Sequence, residues 1–110
     1  MRRRVVVTGA GVIAPNANGV ADFELALRKG RSGIRRHEKM EELGFASLVA
    51  GVPQGVDELA ANAFDEDLLR AMNSSHRFAA LASVEAWRDA AFSPSAAGDA
   101  APDWDTGAVI

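Results

Sequence analysis

Gly9-Ala10-Gly11-Val12-Ile13-Ala14, directly after the apolar run Val5-Val6-Val7, spells Gly-x-Gly-x-x-Ala. In a dinucleotide site that spacing lets backbone approach a pyrophosphate, which is then held by a helix N-terminus. Two features count against this chemistry. Pro15 falls where the helix should already be hydrogen-bonded, and proline lacks the N–H and crowds the preceding turn. The motif also needs a carboxylate about 20 residues further on, at the end of a second strand. Here the chain reads Leu27-Arg28-Lys29-Gly30-Arg31-Ser32-Gly33, which is not a strand. The stronger reading is a glycine-rich turn that lets chain segments pack closely.

Other residues able to do chemistry are sparse. The 110 residues contain no cysteine, so they hold no disulfide, thiolate metal site or cysteine nucleophile. His37 and His76 are the only histidines. His37 and Glu41 could share one face of a helix, but two ligands are too few for a zinc site. His37 therefore reads as a solvated loop residue, and His76 as a first-turn packing or capping residue. Asp65, Glu66 and Asp67 read as the acidic start of a helix, with no paired-carboxylate site for acid–base work. Arg28, Lys29, Arg31, Arg35, Arg36 and Lys39 form a basic cluster. It reads first as a solvated loop, and second as a surface that would steer an acidic partner. No catalytic, cofactor-binding or metal-ligating residue is assigned, and no cofactor is expected.

The elements that would position these residues are legible from periodicity. Residues 4–8 read as a buried strand, because consecutive valines are stiff and β-favouring. Residues 9–18 form a turn-rich connection. Residues 20–29 read as an amphipathic helix with Val20, Phe23 and Leu27 on one stripe, ended by Gly30 in a left-handed conformation. Residues 31–45 read as loop with some helical turns, and 47–52 as a short strand stopped by Pro53. Residues 57–72 hold one or two short helices, where Asp65 could cap the turn that buries Leu68, Leu69 and Met72. The clearest helix spans 75–91, capped by Ser74 or Ser75. Its many alanines give it thin walls for close packing, and Phe78, Leu81 and Trp87 read as core. Residues 92–103 read as a surface loop, and 107–110 as the start of a third strand. Strands separated by helices imply an α/β architecture with parallel pairing.

Composition bounds the class. A chain of 110 residues suits one domain or part of a larger one. Hydrophobic residues at 48% and charged residues at 25% are ordinary for a globular protein. The net charge of −3 gives no reason to expect nucleic acid as a partner. Thr8, Gly9 and Pro15 interrupt the apolar start too early for a secretory signal, and no segment suits a membrane span. A cytoplasmic location is the expectation.

Several segments, taken in order, resemble a known family. Arg3-Arg4-Val5-Val6-Val7-Thr8-Gly9-Ala10-Gly11-Val12-Ile13-Ala14-Pro15 resembles the opening of β-ketoacyl-(acyl-carrier-protein) synthases, where a proline at this place is usual. Gly30-Arg31-Ser32-Gly33-Ile34 resembles the family's Gly-x-Ser-Gly-Ile segment, after a helix with Phe23 and Leu27. Ala50-Gly51 is similar to the short strand that follows, and Met72 with the helix ending Glu85-Ala86-Trp87-Arg88-Asp89-Ala90 to the helix before the third strand. Trp104-Asp105-Thr106-Gly107-Ala108-Val109-Ile110 resembles the strand leading to a glycine-rich loop.

The resemblance implies the N-terminal part of a thiolase-like fold, a mixed sheet with packed helices, incomplete in this chain. Residues 1–110 would be one segment of the ketosynthase N-terminal half, with no second domain. It implies decarboxylative Claisen condensation of acyl and malonyl thioesters, in fatty-acid or polyketide synthesis. An acyl carrier protein would be a partner, along with a second ketosynthase subunit in a homodimer or heterodimer. The family's catalytic cysteine and histidines match no position here, so the chain alone is expected to be inactive. Two alternatives stand beside this: a non-catalytic subunit similar to chain-length factors, and a small nucleotide-binding α/β protein.

Overall fold

The computed structural model describes residues 2–92 and 106–107. Strand β1 (Ile13–Ala14) pairs antiparallel with β2 (Ala17–Asn18) across Pro15 and Asn16. Proline presets the backbone angle that the first inner residue of a turn needs, so Pro15 helps to make a hairpin. The Gly19 N–H donates to the Val12 carbonyl at 2.7 Å and closes the hairpin's open end.

Helix α1 (Val20–Arg28) follows and stops where expected. Gly30 has φ 61°, its N–H donates to the Leu27 carbonyl at 3.0 Å, and the Arg31 N–H donates to the Ala26 carbonyl at 2.8 Å. This left-handed closure satisfies carbonyls that the helix end would otherwise orphan. The expected stripe is corrected in one respect. Ala26 is buried and Phe23 half-buried, whereas Leu27 is 60% exposed. The helix turns the alanine at 26 to its neighbours, which permits close approach.

Strand β3 (Ile34–Arg36) pairs antiparallel with β4 (Val49–Gly51), in the register Ile34 to Gly51, Arg35 to Ala50 and Arg36 to Val49. Two expectations change here. Residues 34–36, read as loop, are a strand, and the pairing is not parallel. The link between the strands holds only α2 (Glu38–Glu42), whose five residues rise about 7–8 Å. A parallel crossover is usually carried by a longer helix that runs back along the sheet, and with this short one the chain reverses.

The stretch 57–72 holds two helices, α3 (Val56–Ala63) and α4 (Glu66–Ala71). Asp65 stands at the N-cap position of α4, but its side chain makes no capping bond, and Leu68 remains 45% exposed. The long helix α5 (Ser74–Asp89) is capped by Asn73, whose Oδ1 accepts from the His76 N–H at 3.0 Å. Ser74 and Ser75 already lie within the helix and cannot fill that role. Arg77 of α5 ties the short helices down, donating to Asp57 Oδ1 at 2.6 Å and to the Leu69 carbonyl at 3.2 Å. Among the described residues the buried hydrophobics are Ala26, Val56 and Ala60, with Phe78 and Leu81 half-buried.

The expected strand at 4–8 is the largest correction. These residues join no ladder, and Val5, Val6 and Val7 are 93%, 66% and 90% exposed. Stiff valines favour extended backbone, but a strand also needs a hydrogen-bonding neighbour. The neighbour expected at 107–110 lies mostly outside the described residues, as does the loop expected at 92–103 beyond its first residue. Trp87 is also corrected, being 39% exposed rather than core.

Trp87 instead packs on Phe92, with ring centroids 5.1 Å apart, at the end of α5. The Phe92 N–H donates to the Trp87 carbonyl at 3.2 Å and the Ala91 N–H to the Arg88 carbonyl at 3.0 Å. This is the closure seen at Gly30, but an alanine occupies the left-handed position, at φ 57°. A Cβ there costs about 1–2 kcal/mol, partly offset in glycine by greater freedom of the unfolded chain. Ala91→Gly is therefore expected to stabilise the chain by about 1 kcal/mol. Chemical denaturation with the signal of Trp87 and Trp104 would show a higher midpoint at unchanged slope; an unchanged or lower midpoint would refute it.

Candidate functional site

The segments that carry the sequence resemblance meet at two joints. At the first, the glycine-rich turn lies directly on α5. A Cβ on Gly9 would overlap the Ala86 carbonyl oxygen and the Ala90 nitrogen, and a Cβ on Gly11 would overlap the Ala82 carbonyl. Ala82, Ala86 and Ala90 recur every four residues and form one thin-walled stripe, so helix backbone and turn backbone touch. At the second joint Pro15 rests on the β3–β4 pair. A Cβ on Gly33 would collide with the Pro15 backbone, and one on Gly51 would stand 2.9 Å from Pro15 Cγ.

Two carboxylates of α5 lock the first joint. Glu85 Oε2 accepts from the Val12 N–H at 2.8 Å and its Oε1 from the Val20 N–H at 2.7 Å. Asp89 Oδ2 accepts from the Ala10 N–H at 2.9 Å. Val20 is the first residue of α1, and the preceding Gly19, at φ 89°, has no side chain to cap it. Glu85 thus caps α1 from another helix, adding negative charge at the positive end of the dipole. Asn18 and Asn16 fasten the hairpin's far side, donating from Nδ2 to the Gln54 carbonyl at 2.7 Å and the Arg31 carbonyl at 3.3 Å.

This geometry decides the Gly-x-Gly-x-x-Ala motif. No helix begins at Gly11; the chain enters β1 two residues later. The Ala10 and Val12 N–H groups, which a phosphate would need, already point at carboxylates. Glu85 and Asp89 stand where a pyrophosphate would sit and would repel it. The close-packing reading of the glycines is the one the structure supports.

The remaining candidates do not converge on chemistry. His37 flanks the start of α2 with its Nε2 3.3 Å from the Ala50 carbonyl, while Glu41 pairs with Arg36 at 2.5 Å. His76 is exposed in the first turn of α5. Glu66 pairs with Arg70 at 2.7 Å along α4. Among the described residues no three His, Cys, Asp or Glu side chains stand together as metal ligands do. In the basic cluster Arg28 pairs with Glu24 at 2.7 Å, whereas Lys29, Arg31, Arg35 and Lys39 form no ion pair among the described residues. An open cleft of about 1060 Å³ lies between α3, α5 and the hairpin, with Ile13, Leu59, Leu81 and Val84 on its walls. Among the described residues its lining holds no serine, threonine, cysteine, lysine or histidine to act as a nucleophile. Sequence reasoning missed the roles of Glu85 and Asp89. Their trace was present: two acids four apart, each beside an alanine of the stripe.

Fold and site define an α/β segment whose recurrent residues join backbone to backbone and carry no reacting group. Residues 2–110 match the beta-ketoacyl synthase N-terminal domain. The chain is 36% identical over 88 residues to 3-oxoacyl-(acyl-carrier-protein) synthase 1 of Buchnera aphidicola, which covers 80% of this chain and 21% of that protein. It is 34% identical over 110 residues to a putative polyketide beta-ketoacyl synthase 1 of Streptomyces halstedii, covering all of this chain and 25% of that one. It is 31% identical over 94 residues to 3-oxoacyl-(acyl-carrier-protein) synthase 1 of Escherichia coli K12, covering 86% and 22%. The chain belongs to the β-ketoacyl synthase family and spans a fifth to a quarter of the length of these relatives. Among the described residues no helix is long and apolar enough to cross a membrane.

Proposed function

We propose that these residues form the opening part of a β-ketoacyl synthase. That enzyme condenses an acyl thioester with a malonyl thioester, with loss of carbon dioxide, in fatty-acid or polyketide synthesis. The observation that carries the reading is the family match over residues 2–110. The role of this segment is architectural. Its joints set the position of a sheet and helices, and the thiolate and enolate-stabilising groups come from polypeptide outside the 110 residues. The absence of cysteine supports that division, because in this family a cysteine thiolate takes the acyl group. The whole would have the thiolase-like fold, work as a dimer and reside in the cytoplasm. Residues 1–110 would be one segment of its N-terminal half.

A chimera tests the proposal. Residues 1–110 would replace the matching quarter of the Escherichia coli relative. The chimera is expected to condense acyl- and malonyl-carrier substrates, and the 110-residue chain alone to give none. Turnover by the chain alone, or a folded chimera without turnover, would overturn the reading.

The partner in this reading is an acyl carrier protein, attracted by the basic cluster. Lys29, Arg31, Arg35 and Lys39 leave four charges uncompensated by ion pairs among the described residues. Reversing Arg35 and Arg36 to Glu in the chimera is expected to weaken carrier binding about tenfold and to flatten its salt dependence. Unchanged affinity with unchanged salt dependence would leave these residues as a solvated loop.

A further inference from the structure

We draw no further inference here: the strongest candidate, the open cleft between α3, α5 and the 13–18 hairpin, has apolar walls and an acidic rim at Asp22 and Glu58, but nothing in the structure shows what covers it.

Discussion

Gly11→Ala is expected to destabilise the chain by about 3 kcal/mol, and Gly11→Val to abolish its cooperative unfolding transition. The reason is steric and local. The added carbon would enter the space of the Ala82 carbonyl and crowd the Ala86 nitrogen, both of them helix backbone. A flexible side chain could swing aside, but backbone in the middle of α5 moves only by breaking the helix or lifting it from the turn. Lifting it would also part Glu85 and Asp89 from Val12, Val20 and Ala10. Gly44→Ala supplies the control, since Gly44 has φ 73° and nothing within 4 Å of an added Cβ. That change meets only the left-handed penalty of about 1–2 kcal/mol. Gly11 has no positive φ, so its cost arises from packing alone. Urea denaturation followed by circular dichroism compares the two midpoints. If Gly11→Ala were as mild as Gly44→Ala, the close seam between turn and helix would be wrong.

The contrast shows which parts of the molecule were legible from residue types. Local signals transferred well. The helix at 20–28 ends on Gly30, and the alanine-rich helix runs over 74–89, because propensity and termination depend on near neighbours in sequence. Pro15 correctly weighed against a nucleotide helix at Gly11. Signals that depend on a distant partner did not transfer. Three valines predict extended backbone at residues 5–7, but sequence pattern cannot supply the strand beside them. The direction of β4 is not legible in the sequence because its partner, Ile34–Arg36, is short and basic and looks like loop. Residue type does not single out Asn73 as the cap, because Ser74 and Ser75 are equally good cap residues. The motif segments at Gly9, Gly11, Pro15, Gly33 and Gly51 were legible as a family pattern. Only the fold shows that Gly9 and Gly11 meet the backbone of α5 and that Gly33 and Gly51 meet Pro15.

Glu85→Gln is expected to cost about 2 kcal/mol, nearly as much as Glu85→Ala, whereas Asp89→Asn should cost less than about 1 kcal/mol. The asymmetry follows from how many donors each carboxylate serves. Glu85 receives N–H groups on both oxygens, from Val12 and Val20. A glutamine has one oxygen and one NH2 group. Whichever way its amide is turned, a donor faces a donor, and one part-buried backbone N–H is left without an acceptor. In either orientation the first turn of α1 loses the negative charge at its N-terminus, and where Val20 is the N–H left over, Gly19 has no side chain to replace its acceptor. Asp89 receives a single N–H, from Ala10, in an exposed setting. An asparagine there can turn its oxygen toward Ala10 and lose only the charge assistance. Denaturation midpoints of the three variants give the order. Hydrogen exchange at Val12 and Val20 adds a residue-specific readout, since at least one of these two amides should lose protection in Glu85→Gln while Ala10 changes little. If Glu85→Gln matched the wild type in midpoint and in exchange at these two amides, Glu85 would be an incidental neighbour of the turn, and the glycine–alanine contact alone would hold the joint.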